Sequence, residues 1–297
     1  MILSTSNGGL HQRYGFEGAT ELLKKAGFDA IDMDLCVLEK DDSVFWDSTY
    51  KYRAAELREH AESLGMSFNQ SHAPFHYNWK NNPNEYEERF MPGMIRTLEI
   101  SALLGCKQAV VHPIHHQEYI GHEEEQFELN MKFYRDLLPY AKEFGVKIAL
   151  ENMWQNEVKR KRPGYDVCSL ATEFVRYIDT LDDGMFTACL DLGHSGMVGE
   201  EAQDAIRILG HDRLGALHVH DNDYCADQHT LPYLGKMDFE AIMKALADVD
   251  YVGEFTYETA RYYGRMPDEM MLPALRFMAE MGRYLDNRFE FYKNEKN

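Results

Sequence analysis

A (β/α)₈ barrel is the fold that this sequence predicts, and two observations carry the prediction. Apolar runs of strand length alternate with longer segments of helical period along the whole chain, and eight such pairs fit within about 260 residues. The strands are expected at ILSTS from Ile2, FDAIDMDL from Phe28, MSFNQSHA from Met66, QAVVHP from Gln108, KIALEN from Lys147, FTACLDLGH from Phe186, LGALHVHDN from Leu214 and VGEFTYE from Val252. A helical segment follows each. The stretch PNEYEERFMPGMIRTLEISALLG from Pro83 has apolar residues at helical spacing and ends on Gly105, and the segment after Glu123 closes on Gly145. No GxGxxG or P-loop follows the first strand, which counts against a doubly wound sheet.

No linker or low-complexity segment divides the chain, so residues 1–297 are expected to form one barrel domain. With 44% hydrophobic and 27% charged residues the composition is that of an ordinary globular protein, and no apolar run approaches the roughly 18 residues of a membrane span. The N-terminal MILSTSNGGLHQRYGFE has neither a basic region nor a sustained apolar one, so a cytoplasmic protein is expected. The five cysteines Cys36, Cys106, Cys168, Cys189 and Cys225 are scattered without a CxxC pair, which suggests buried thiols rather than disulfides or a cysteine zinc site. A net charge of −19 disfavours nonspecific binding to nucleic acid.

In such a barrel the chemistry gathers where strands end and loops begin. There the third strand supplies His72, the fourth His112, the fifth Glu151, and the sixth Asp191 and His194. The seventh supplies His218, His220 and Asp221, its loop Asp227 and His229, and the eighth Glu258. Taken singly, each has an ordinary structural reading, as a hydrogen-bonded histidine or a turn aspartate. Together at one mouth, imidazoles and carboxylates would be left unsatisfied, and a divalent cation would hold them together.

The ordered series SHAPFHYN, GCKQAVVHP, IALEN, CLDLGHSGMVG, LHVHDND, DQH and FTYET resembles the xylose isomerase-like TIM barrel superfamily, over essentially the whole chain. That superfamily includes the endonuclease IV branch and the sugar isomerases and epimerases of the tagatose epimerase type. The resemblance implies a single-metal site formed by Glu151, Asp191, His218 and Glu258, with His72, His112, His194, Asp227 and His229 either binding further metals or contacting substrate. His220 is then left as a substrate contact or a partner of the ligands, because residues two apart on a strand share a face and spacing alone does not choose between His218 and His220.

The activity implied is a metal-dependent isomerase or epimerase of a sugar, sugar phosphate or polyol ketone, working by proton transfer through a metal-stabilised enediolate with Glu151 and Glu258 as acid and base. The alternative is an endonuclease IV-like zinc phosphodiesterase acting on abasic DNA. Against it stand the acidic charge, Tyr233, Leu234 and Gly235 where that branch has GEG, and HVHDN where it has HLNDS. A sugar-binding barrel without catalysis fits less well, because both acid/base carboxylates are intact.

The oxygen-rich set suits Mn²⁺, Mg²⁺ or Co²⁺, further imidazoles would favour Zn²⁺, and no organic cofactor is expected. A small sugar-like substrate is the expected partner, and a homo-oligomer is compatible with the sequence. Arg261 is a candidate for a phosphate or acidic group, Asp32 for a substrate contact or a cap, and Phe75, Tyr77, Trp79, Trp154 and Tyr257 for stacking on a sugar face. The basic run VKRKRPG around Lys159 reads as a solvated loop after the fifth strand. His11, His60, His76, His115, His116, His122 and His211 match no motif and read mostly as surface or loop residues.

Overall fold

The computed structural model describes residues 1–77, 82, 84–115, 117–159 and 161–296. Its strands are β1 (Leu3–Ser6), β2 (Ala30–Asp34), β3 (Ser67–His72), β4 (Gln108–Val111), β5 (Lys147–Glu151), β6 (Trp154–Glu157), β7 (Arg162–Tyr165), β8 (Phe186–Asp191), β9 (Leu214–His218) and β10 (Phe255–Tyr257). Eight of them pair in the order β10-β1-β2-β3-β4-β5-β8-β9, every pair parallel. The ring closes between β9 and β10, where Val219 N–H donates to Thr256 O at 2.8 Å and Glu258 N–H to Val219 O at 3.1 Å. This is the expected (β/α)₈ barrel.

The helices are α1 (Gly8–Ala26), α2 (Tyr50–Ser63), α3 (Met91–Leu104), α4 (Glu123–Phe144), α5 (Ala171–Leu181), α6 (Leu192–Val198), α7 (Ala202–Arg213), α8 (Phe239–Asp248), α9 (Ala260–Tyr263) and α10 (Asp268–Lys296). Among the described residues no helix is long and apolar enough to cross a membrane. α3 and α4 stop where predicted: Gly105 and Gly145 take the left-handed conformation, φ 86° and 68°, that a residue with a side chain rarely adopts. Helix faces such as Phe174, Tyr177 and Leu181 of α5 pack on the outward side chains of the sheet. Each such side chain contributes about 1.5–3 kcal/mol by leaving water.

Two elements depart from the sequence reading. The run around Lys159 is the tip of an antiparallel hairpin, β6 with β7, rather than plain loop. Pro163 and Gly164 look like strand breakers, but a two-stranded ribbon outside the barrel tolerates them because its outer edge needs no ladder donor. The last strand begins at Phe255 instead of Val252, since Gly253 and Glu254 lie outside the ladder. Trp79, His116, Arg160 and the Pro83 start of the third helical segment lie outside the described residues.

Candidate metal centre

Strand period decides what reaches the mouth. Inside the barrel, Val110, Ala149, Cys189 and Ala216 form a small apolar cluster of their own. Two residues further along each chain, the same face presents His112, Glu151, Asp191 and His218. The residues between them, Val111, Leu150, Leu190 and Leu217, belong to the larger core beneath the helices. Thus four strands each build one tile of an apolar floor and one polar group above it. His72 ends β3, and Glu258 directly follows β10.

Among the described residues the polar groups converge into four sets, three of them sharing members, in which ligand atoms lie within 4.8 Å of one another. One is Glu151, Asp191, His218 and Glu258; the others are His72, His112 and Glu151; His72, His218 and Glu258; and His194, His220, Asp227 and His229. Glu151, only 1% exposed, joins two of them. Its Oε1 lies 3.2 Å from His218 Nδ1, and its Oε2 lies 3.1 Å from His112 Nε2 and 3.5 Å from His72 Nε2. Glu258 Oε2 approaches the same nitrogen, His218 Nδ1, at 3.4 Å. Every predicted ligand therefore falls in a set, and His220 falls in the same set as His229, its ring stacked on that residue at 4.1 Å. His220 Nε2 also reaches Asp191 Oδ1 at 3.0 Å, so it additionally braces a carboxylate of the first set.

Backbone carbonyls fix three of the rings. Nδ1 of His72 lies 2.8 Å from Ala73 O, that of His194 2.8 Å from Asn152 O, and that of His229 2.8 Å from Glu258 O. A carbonyl only accepts, so Nδ1 carries the proton and Nε2 is the nitrogen that can offer a lone pair. His229 is held in this pose with φ 42°, a left-handed backbone uncommon outside glycine. Asn152 was missed in the sequence. Its Oδ1 accepts from Asp191 N–H at 2.7 Å and its Nδ2 donates to Asp191 O at 3.0 Å, tying β5 to β8 beyond the ladder. Its place directly after Glu151 in IALEN was the only signal. Gly193 was missed as well; a side chain there would collide with the His220 ring.

Charge follows the geometry. Burial opposes ionisation of Glu151, but His218 and His112 outweigh it and hold the carboxyl well below its usual range. Asp191 is likewise lowered, burial being overcome by His194 and His220. Burial also opposes charging of the imidazoles. Against it, the Glu151 carboxylate lifts His72 to about 9, and Glu258 with Asp227 lifts His229 to about 10, while burial prevails at His112 and lowers it to about 4. A cation taken up by a set that contains His72 or His229 would therefore displace a proton from that ring. Its apparent affinity should rise with pH up to about 9, with protons released on binding, as calorimetry in buffers of different ionisation enthalpy would show; affinity flat between about pH 6 and 9 would contradict this.

Other expected residues lie apart. Arg261 is exposed on α9 and outside all four sets. Tyr257 is 0% exposed and packs edge-on against Phe255 in the core, so it does not reach a substrate: its side chain alternates away from the mouth. Tyr77 packs on Phe90, whereas Phe75 stacks on His112 at 4.5 Å and forms a wall of the site. His11, expected at the surface, is buried against Asp34 at 3.1 Å. His115 pairs at 2.9 Å with the buried Asp166, which ties the loop after β4 to the end of the hairpin.

Residues 20–281 match the protein family described as the xylose isomerase-like TIM barrel. The chain belongs to this family. Among curated relatives it is 30% identical over 165 residues to the uncharacterized protein y4fM of Sinorhizobium fredii, covering 54% of this chain and 50% of that protein. It is 28% identical over 191 residues to the uncharacterized protein MJ1311 of Methanocaldococcus jannaschii, 63% of this chain and 62% of that one. The chain thus spans about half to three-fifths of the length of these relatives.

Similar solved structures in this family's fold include a D-psicose 3-epimerase with D-tagatose from Clostridium cellulolyticum H10 (TM-score 0.74, 17% identity, 96% of this chain and 99% of that one). Others are the 3-keto-D-glucoside 4-epimerase YcjR from E. coli (0.69, 19%, 94% and 99%) and the IOLI protein with a bound zinc atom (0.72, 16%, 98% and 99%). At these identities the likeness establishes the shared fold.

Proposed function

We propose that this family member is a divalent-metal-dependent isomerase or epimerase of a sugar or a related hydroxy ketone. The observation that carries the reading is the convergence of two glutamates, Glu151 and Glu258, on Nδ1 of His218 in one set with Asp191. Three carboxylates and an imidazole suit a divalent cation. So does the state of Glu151 Oε2 and both His218 ring nitrogens, which are buried without a hydrogen-bond partner among the described residues. Bound there, such an ion would polarise a carbonyl and its neighbouring hydroxyl, making the adjacent C–H acidic.

Glu151 and Glu258 would then divide the proton work, one taking the proton from carbon and the other returning a proton on the opposite face or at the neighbouring atom. Asp191, fixed through its backbone by Asn152 and at its carboxylate by His220 and the His194 N–H at 2.7 Å, is held in place to bind the ion rather than to move a proton. Phe75 offers an apolar wall beside His112 for a sugar face. The structural neighbours named as sugar epimerases support the same reading.

A second reading, hydrolysis of a phosphodiester by several ions, is favoured by one observation: the sets His72, His112, Glu151 and His194, His220, Asp227, His229 could each take a further cation. The net charge of −19 opposes a polyanionic substrate. The deciding experiment combines metal analysis of protein purified without chelator with two assays, deuterium exchange from solvent into a panel of ketoses and incision of a duplex bearing an abasic site. Exchange into a ketose without incision is expected. Incision without exchange would replace the first reading by the second.

A further inference from the structure

We infer that Asp32 is a positioning residue of the proposed metal centre, one that orients His218 from beneath. The inference rests on the metal-binding reading above and adds a residue that belongs to none of the four ligand sets. Three independent features single Asp32 out. It is 1% exposed, inside a barrel where buried carboxylates require a partner. The register of β2 against β3 shifts between Ile31 and Asp32, an irregularity of the kind that re-aims a side chain next to a functional site. And Asp32 Oδ2 lies 3.6 Å from His218 Nε2, on the far edge of the ring from Glu151 and Glu258.

The remaining partners of Asp32 are few. Gln70 Nε2 reaches Oδ2 at 3.5 Å, while among the described residues the buried Oδ1 has no hydrogen-bond partner, nor has His218 Nε2 itself. His218, 0% exposed, differs from His72, His194 and His229 in that no backbone carbonyl fixes its ring. Asp32 is placed to do for His218 what those carbonyls do for the others. A closure of a few tenths of an ångström from 3.6 Å would let it accept Nε2–H, keeping the proton on that nitrogen and leaving Nδ1, which faces Glu151 and Glu258, to the ion. Partners of this kind beyond a ligand typically change metal affinity by about 10–100-fold when removed.

The test uses the whole chain, with Co²⁺ alone as the binding probe, followed by visible absorption in competition with a chelator, and with Zn²⁺ alone for ¹⁵N NMR of the imidazole, which reads which His218 nitrogen keeps its proton when the other is ligated. Asp32→Ala should weaken the first Co²⁺ equivalent by about 10–100-fold and shift the His218 nitrogen signals towards a mixture of tautomers. Asp32→Asn, which keeps size and an acceptor oxygen, should fall between, and serves if the alanine variant does not fold. Folded variants that bind Co²⁺ as the unaltered protein does, with an unchanged His218 tautomer, would overturn the assignment. Failure of the metal-binding reading itself would show separately, as absence of Co²⁺ binding in the unaltered protein.

Discussion

Glu151→Gln is expected to lower turnover by about 10²–10⁴ and to reduce the metal bound per chain. One carboxylate serves two ligand sets here, with Oε1 toward His218 and Oε2 toward His112 and His72. An amide of the same shape keeps the packing but removes the charge, and turns one of the two oxygens into an NH₂ group that cannot ligate. The side chain is 1% exposed, so water cannot substitute for the lost acceptor. Glu258→Gln should lose a similar amount of turnover but less metal, because Glu258 is more open to solvent and does not face His112. Metal content by mass spectrometry and turnover on whichever ketose exchanges deuterium measure both effects. A Glu151→Gln protein with full metal and near-normal turnover would remove Glu151 from both roles.

The second large effect is expected at a residue that touches no proposed substrate. Asp221 is 0% exposed and accepts three backbone N–H groups, from Asn222 at 2.8 Å, Gly235 at 2.8 Å and Met237 at 3.1 Å. Its own backbone bridges to Thr230. Together these bonds close the loop that carries Asp227 and His229, and a side chain at Gly235 would collide with the Asp221 carboxylate. Asp221→Ala strands those donors at about 1–3 kcal/mol each where water cannot reach them, so a loss of several kcal/mol is expected in urea unfolding. Amide exchange across 222–237 should accelerate more than exchange in β4 or β5. Stability and exchange both unchanged would mean that the loop is held by other contacts.

The barrel was legible because its strands repeat a simple face pattern. In AVVHP, IALE, ACLD and GALH, a small inward residue precedes the inward polar one by two positions. The nine candidate ligands were picked out by their place at strand ends and in the following loops and by the family resemblance. Their grouping was not, because distance across a barrel is not encoded in spacing along a strand. His218 and His220 share a parity, yet His220 lies beyond the end of β9, where the chain carries it to Asp191 and His229. Asp32 looked like a candidate cap or substrate contact because a shift of register is invisible in one strand read alone. The hairpin was hidden by Pro163 and Gly164, and Asn152 by the stronger signal of the glutamate beside it.

The closure of the barrel has a mechanical consequence. Among the described residues only the two hydrogen bonds through Val219 fasten β9 to β10 in the ladder, and His218 and Glu258 stand on either side of that fastening. An ion held between these two side chains would act as a rivet across the weakest joint of the ring. Loading the protein with its cation would then tighten the cylinder as a whole, and the cation's departure would loosen it first along this one line.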